Sequence, residues 1–122
     1  MKSLLIVAHG SRRQASNDEV RALSEAIARE NTEFELVDCA FLELAEPLIP
    51  QGLERCIERG ATEVVVMPYF LAAGRHVVED IPGEVAPVQE KYPDVKISIT
   101  SHLGASHHMT GAILGVALDQ PQ

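Results

Sequence analysis

The sequence predicts an α/β fold in which an open four-stranded parallel sheet carries helices on both faces. Three observations lead there. Short aliphatic runs alternate strictly with longer stretches of helical periodicity, and the connections between them are short. The chain of 122 residues is 46% hydrophobic and 23% charged, the composition of one ordinary globular domain, here residues 1–122. Alternating β and α elements then imply right-handed crossovers within one sheet.

Leu4 to Ala8 is a continuous aliphatic run ending in His9-Gly10, which predicts a first strand buried on both faces. Ser16 followed three residues later by Glu19 has the form of a capping box, and Val20, Leu23 and Ile27 recur at helical spacing, so a first helix is expected to about Asn31. Phe34 to Leu42 alternates apolar and polar residues before turning apolar, as a strand near a sheet edge does. A second helix is expected with Pro47 in its first turn, a stripe of Ile49, Leu53, Cys56 and Ile57, and Gly60 as its stop. Glu63 to Phe70 reads as a central strand whose pairing ends near Pro68. Asp80 to Tyr92 predicts a third helix, but Pro82 and Pro87 cannot both occupy a first turn, which implies a late start or a kink. Val95, Ile97 and Ile99 alternate as a fourth strand, and Ser106 to Leu118 predicts a terminal helix with Ile113, Leu114, Ala117 and Leu118 facing inward.

Composition excludes several classes of function. Ten basic against eighteen acidic residues leave a formal charge of −8, which opposes nucleic acid. No apolar run approaches the roughly 20 residues that span a bilayer, and Leu4 to Ala8 runs into His9-Gly10-Ser11-Arg12 without a small-residue cleavage site, so a cytoplasmic protein away from membranes is expected. Cys39 and Cys56 form no C-x-x-C pair and read as small buried hydrophobes.

Open parallel sheets bind ligands at the carboxyl ends of their strands. His9 follows the first strand, Glu43 the second, His76 lies in the loop after the third, and His102 lies beyond the fourth. Any one of them could be an ordinary loop residue. Together, His9, Glu43 and His76 combine the imidazoles and carboxylate that ligate Zn, Fe, Co or Ni and accept protons near neutral pH. Arg12, Arg13 and Arg75 flank the two histidines, and guanidinium forks on an otherwise acidic protein point to an anionic ligand, against the alternative of solvated loop arginines. Gly10-Ser11 could offer backbone N–H groups to such an anion, but it is not a nucleotide-binding loop. Ser11 beside His9 lacks the G-x-S-x-G elbow of a hydrolase. Adjacent helical residues such as His107 and His108 point about 100° apart, which favours a surface or interface role.

Taken together, Ala8-His9-Gly10-Ser11-Arg12, Ala40-Phe41-Leu42-Glu43 leading into Glu46-Pro47, and Pro68 to His76 followed by Asp80-Ile81-Pro82 resemble the small CbiX-type class II chelatases, which metallate sirohydrochlorin. The resemblance runs from the first strand to Leu103-Gly104. It implies a chelatase-like (flavodoxin-like) half-unit, a homodimer of short chains, and insertion of Co²⁺, Fe²⁺ or Ni²⁺ without a nucleotide and without a cofactor beyond that substrate metal. On it, His9 and His76 match the family's paired histidines and Glu43 a carboxylate of some members. The macrocycle is a polycarboxylate, which gives Arg12, Arg13 and Arg75 a role, while Ser11, Tyr69, Phe70 and Leu71 would complete its binding surface. A His-rich loop found in related branches is missing here. Two other readings share the same edge: a non-catalytic carrier of metal or tetrapyrrole, and a phosphate-ester enzyme with His9 as nucleophile, although Ala8 stands where that chemistry places an arginine. A sheet of four strands has two open edges and a limited core, which independently favours a homodimer closing on the terminal helices.

Overall fold

The computed structural model describes residues 1–119. Four parallel strands, β1 (Lys2–Ala8), β2 (Leu36–Phe41), β3 (Glu63–Pro68) and β4 (Lys96–Ile99), lie in the order β2-β1-β3-β4. Register pairs Ile6 with Cys39 on one side and Met67 on the other, and Val66 with Ile99. The second strand is an edge and the third is central, as their patterns predicted, and β3 ends at Pro68, which has no N–H to donate.

Helices cover both faces. Helix α1 (Gln14–Glu30) lays Val20 and Ile27 against Ile6, Ala8, Cys39 and Phe41. On the opposite face, α2 (Ile49–Glu58) and α3 (Ile81–Lys91) bury Ile49, Leu53, Cys56, Ile81, Val85 and Val88 against Leu5, Val7, Val64 and Val66. Each fully buried Leu, Ile or Val contributes about 1.5–3 kcal/mol, so this double layer holds the strand ends rigidly. Gly52 allows α2 its close approach: a Cβ there would stand 2.9 Å from that of Ala40. Both cysteines are buried and free, and burial raises their thiol pKa values.

Four expectations need correction. Helix α1 starts at Gln14, before the Ser16–Glu19 pattern, because the Ser16 N–H already bonds the Arg13 carbonyl and Asn17 is occupied elsewhere. Helix α2 starts at Ile49 with Pro50 in its first turn, while Pro47 is buried ahead of it and its carbonyl accepts the Phe41 N–H. The third helical segment begins earlier than its prolines suggested: a π turn over His76–Asp80 runs directly into α3, with Pro82 in the first turn of α3 and Pro87 inside it. Finally, α4 (His108–Leu118), reached through a 3₁₀ turn at Leu103–Ala105, has no buried residue. Ile113, Leu114 and Leu118 are exposed together with Val116, and Ala117 with them. The helix carries no Asp, Glu, Lys or Arg and is apolar nearly all round, so periodicity could not single out an inner face. No helix among the described residues is long and apolar enough to cross a membrane.

Candidate functional site

The site begins where β1 and β2 run past their ends. Leu42 donates its N–H to the Ala8 carbonyl at 3.0 Å and Glu43 to that of His9 at 3.1 Å, so the ladder continues one step beyond the sheet. This sets Glu43 beside His9, whose Nε2 is hydrogen-bonded to the Glu43 carboxylate at 2.9 Å. Gly10 makes the approach possible. Its φ is +94°, and a Cβ at that position would lie 1.8 Å from the Glu43 carbonyl oxygen.

Beyond Gly10 the chain is clamped by Asn17, which is buried in the first turns of α1. Its Oδ1 accepts the Ser11 N–H at 2.9 Å and its Nδ2 donates to the Ser11 carbonyl at 2.8 Å. Ser11 Oγ in turn accepts the Arg13 N–H at 3.0 Å. The serine hydroxyl thus serves the turn, with no histidine as partner among the described residues, and the hydrolase reading gains nothing.

His76 arrives from β3. Tyr69 extends the ladder by donating to the Val7 carbonyl at 2.7 Å, and Gly104 pins the following segment from the β4 side, its N–H on the Phe70 carbonyl and its missing Cβ making room for Leu71. The Gly74 carbonyl then accepts the N–H groups of Val77 and Val78 and starts the π turn. Its first residue, His76, and its last, Asp80, are joined at 2.7 Å between Nδ1 and Oδ2. The rings of His9 and His76 meet with centroids 4.4 Å apart and planes tilted by 51°. Both side chains remain a little under half exposed, at 45% and 44%.

Beside His76 opens a cleft of about 430 Å³ lined by Leu42, Glu43, Glu79, Asp80, Gly83 and Glu84. Four carboxylates on its walls favour a cation over an anion there. Among the described residues no group of three or more His, Cys, Asp or Glu side chains is arranged to hold a metal ion by itself.

Arg12, Arg13 and Arg75 are exposed, and Arg75 forms an open ion pair with Glu79 at 3.4 Å. Tyr69 packs on the α1-side core and Phe70 on the opposite one, whereas Leu71 is 70% exposed. His102 precedes the 3₁₀ turn, where its carbonyl accepts the Ala105 N–H. His107 lies just ahead of α4, not inside it, so its ring meets that of His108 at 3.9 Å, and both stay exposed. Sequence reasoning missed Asp80 and Asn17. The four-residue spacing of His76 and Asp80, which brings side chains together on a helical turn, was the available signal.

The site is thus a pair of facing histidines, each bonded to its own carboxylate, at the carboxyl edge of a parallel α/β sheet. The chain matches the CbiX family over residues 3–117 and belongs to it. It is 35% identical, over 93% of its own length, to the sirohydrochlorin ferrochelatase of Priestia megaterium, of which it covers 42%. It is 36% identical over 75% of its length to the sirohydrochlorin cobaltochelatase of Methanocaldococcus jannaschii, covering 64% of that protein. The sirohydrochlorin chelatase SirB from Bacillus subtilis subspecies spizizenii, solved in complex with cobalt, superposes with a TM-score of 0.86 at 32% identity over 97% of this chain and 50% of the other. The chain thus spans less than half of the Priestia ferrochelatase.

Proposed function

We propose that this chain, one chelatase-like domain over residues 1–122, inserts a divalent metal ion, Co²⁺ or Fe²⁺, into sirohydrochlorin without a nucleotide. The observation that carries the reading is the facing pair of His9 and His76, each with its own carboxylate, at the open rim of the sheet. Family membership and the names borne by the relatives supply the substrate.

The chemistry follows from the net reaction, in which one divalent ion enters the ring and two pyrrole protons leave. Imidazoles of His9 and His76 can replace waters on the incoming ion and accept those protons, and Glu43 balances charge on His9 as protons pass. In this reading His9, His76 and Glu43 grip the metal only transiently, with the macrocycle supplying its final ligands. That suits a site without a self-sufficient ligand cage among the described residues. The acidic cleft beside His76 favours approach of the cation, while Arg12, Arg13 and Arg75 hold ring carboxylates at the rim and Leu71 adds exposed apolar surface, with Ser11, Tyr69 and Phe70 shaping the loops beneath. Two copies of the chain would supply the length of a double-sized relative.

The deciding experiment mixes purified protein, sirohydrochlorin and Co²⁺ or Fe²⁺ and follows the ring absorbance. Faster insertion than in protein-free buffer is expected. Binding of metal or ring without acceleration would establish the carrier instead.

A further inference from the structure

The two histidines are held by opposite nitrogens. Glu43 engages Nε2 of His9, whereas Asp80 engages Nδ1 of His76. An ionised carboxylate only accepts hydrogen bonds, so the nitrogen facing it carries the proton and the other carries the lone pair. The nitrogen left to act is therefore Nδ1 on His9 and Nε2 on His76.

The anchoring of Asp80 is also distinctive. It closes the π turn immediately before Ile81, which is completely buried and begins the α3 stripe continued by Val85 and Val88. The Ile81 N–H bonds back to the His76 carbonyl, so the turn is tied at both ends. His76 follows an exposed segment, Leu71 to Arg75, while Asp80, which bonds its ring, is joined directly to the buried Ile81. Glu79, the neighbouring acid, points its charge to Arg75 at the surface.

From this we propose that Asp80 is a positioning residue: it fixes His76 in the Nδ1–H tautomer and presents the Nε2 lone pair as the one that meets the metal. The inference rests on the chelatase reading of the site and adds to it a carboxylate–histidine–metal relay, in which the outer carboxylate fixes the tautomer and orients the ring.

The test combines tautomer and affinity. Long-range ¹H–¹⁵N spectra of protein with ¹⁵N-labelled histidine, taken where His76 is neutral, are expected to show the Nδ1–H form in wild type. Asp80→Ala should shift it toward Nε2–H and weaken Co²⁺ binding to the ring-free protein by about 10- to 100-fold. Asp80→Asn, whose amide oxygen still accepts the proton, should retain the tautomer with an intermediate affinity. A wild-type His76 in the Nε2–H form overturns the proposal, as does an Asp80→Ala protein that binds Co²⁺ as tightly as wild type. The wild-type spectrum needs no variant to fold. It also separates the two levels of inference: absence of ring metallation by wild type would refute the chelatase reading, while the tautomer still decides the role of Asp80.

Discussion

The imidazoles of His9 and His76 stand 4.4 Å apart, although one follows β1 and the other follows β3. Adjacent strands of the sheet bring them there, and neither ring contributes to the buried core. His9→Ala and His76→Ala should each lower metal insertion by roughly 10²–10⁴-fold, the range for loss of a positioned acid–base group, while leaving the thermal unfolding midpoint nearly unchanged. Turnover close to wild type in both variants would remove the pair from the mechanism.

Gly10 makes the opposite prediction. With φ at +94° and only 1.8 Å between an added Cβ and the Glu43 carbonyl oxygen, Gly10→Ala must separate the extended ends of β1 and β2. Left-handed backbone alone costs about 1–2 kcal/mol, and the collision adds to it. Stability and insertion should fall together, by at least about 2 kcal/mol in denaturant titration. An active Gly10→Ala protein of wild-type stability would show that His9 and Glu43 do not depend on this turn.

Much of this site was legible in the sequence because strand ends are easy to find. The aliphatic runs before His9 and Glu43 and after Thr62 placed three candidate side chains on one sheet edge without reference to distances. Helix starts were harder for an identifiable reason. Ser16 and Glu19 have the spacing of a cap, but Asn17 between them is committed to the Ser11 loop, a contact outside the helix that local pattern does not encode. Asp80 was read as a helix beginning when it is the end of a turn that belongs to His76. In α4 the pattern was uninformative, since an all-apolar helix looks the same whether it is covered by its own chain or by another.

Recognition of the ring carboxylates should separate from turnover. The Arg75–Glu79 pair is exposed, and such pairs contribute little and exchange readily, so Arg75 can turn to a substrate carboxylate. Arg75→Ala, and to a smaller degree Arg12→Ala, should raise KM for sirohydrochlorin more than they lower kcat. Because the chain carries −8 overall, added salt screens long-range repulsion beyond roughly 8 Å more than it weakens direct contacts. Steady-state insertion across a salt series checks both statements. An unchanged KM in both variants would place the macrocycle elsewhere.

Stability should also depend on pH through the link between α2 and α3. Glu54 Oε2 accepts from Lys91 Nζ at 2.8 Å and from the Tyr92 hydroxyl at 3.2 Å, and these two bonds hold the Glu54 carboxyl below its ordinary range. The unfolded chain then binds more protons than the folded one between the two pKa values, so stabilisation is complete above the unfolded value and fades as pH falls through the folded one. Glu54→Gln should lower Tm at neutral pH, with the gap to wild type closing toward strongly acid pH. A gap that is constant with pH would mean that the residue acts through packing and not through its charge.

The terminal helix argues for a second copy of the chain. Ile113 is 60% exposed, Leu114 54%, Val116 75% and Leu118 73%, and Met109, Ala112, Ile113, Val116 and Ala117 line an apolar groove along the helix. Monomers seldom leave such a continuous apolar surface in water. Full burial of one such side chain gains about 1.5–3 kcal/mol. A twofold interface counts each contribution twice, which offsets an association cost of about 4–15 kcal/mol. A homodimer closed on α4 is therefore expected at micromolar concentration by sedimentation velocity. Ile113→Glu combined with Val116→Glu should yield a monomer whose far-UV circular dichroism is preserved, because α4 buries no residue of the folded core. A wild-type chain that sediments as a monomer would contradict the interface, and a double variant that stays dimeric would move it away from α4.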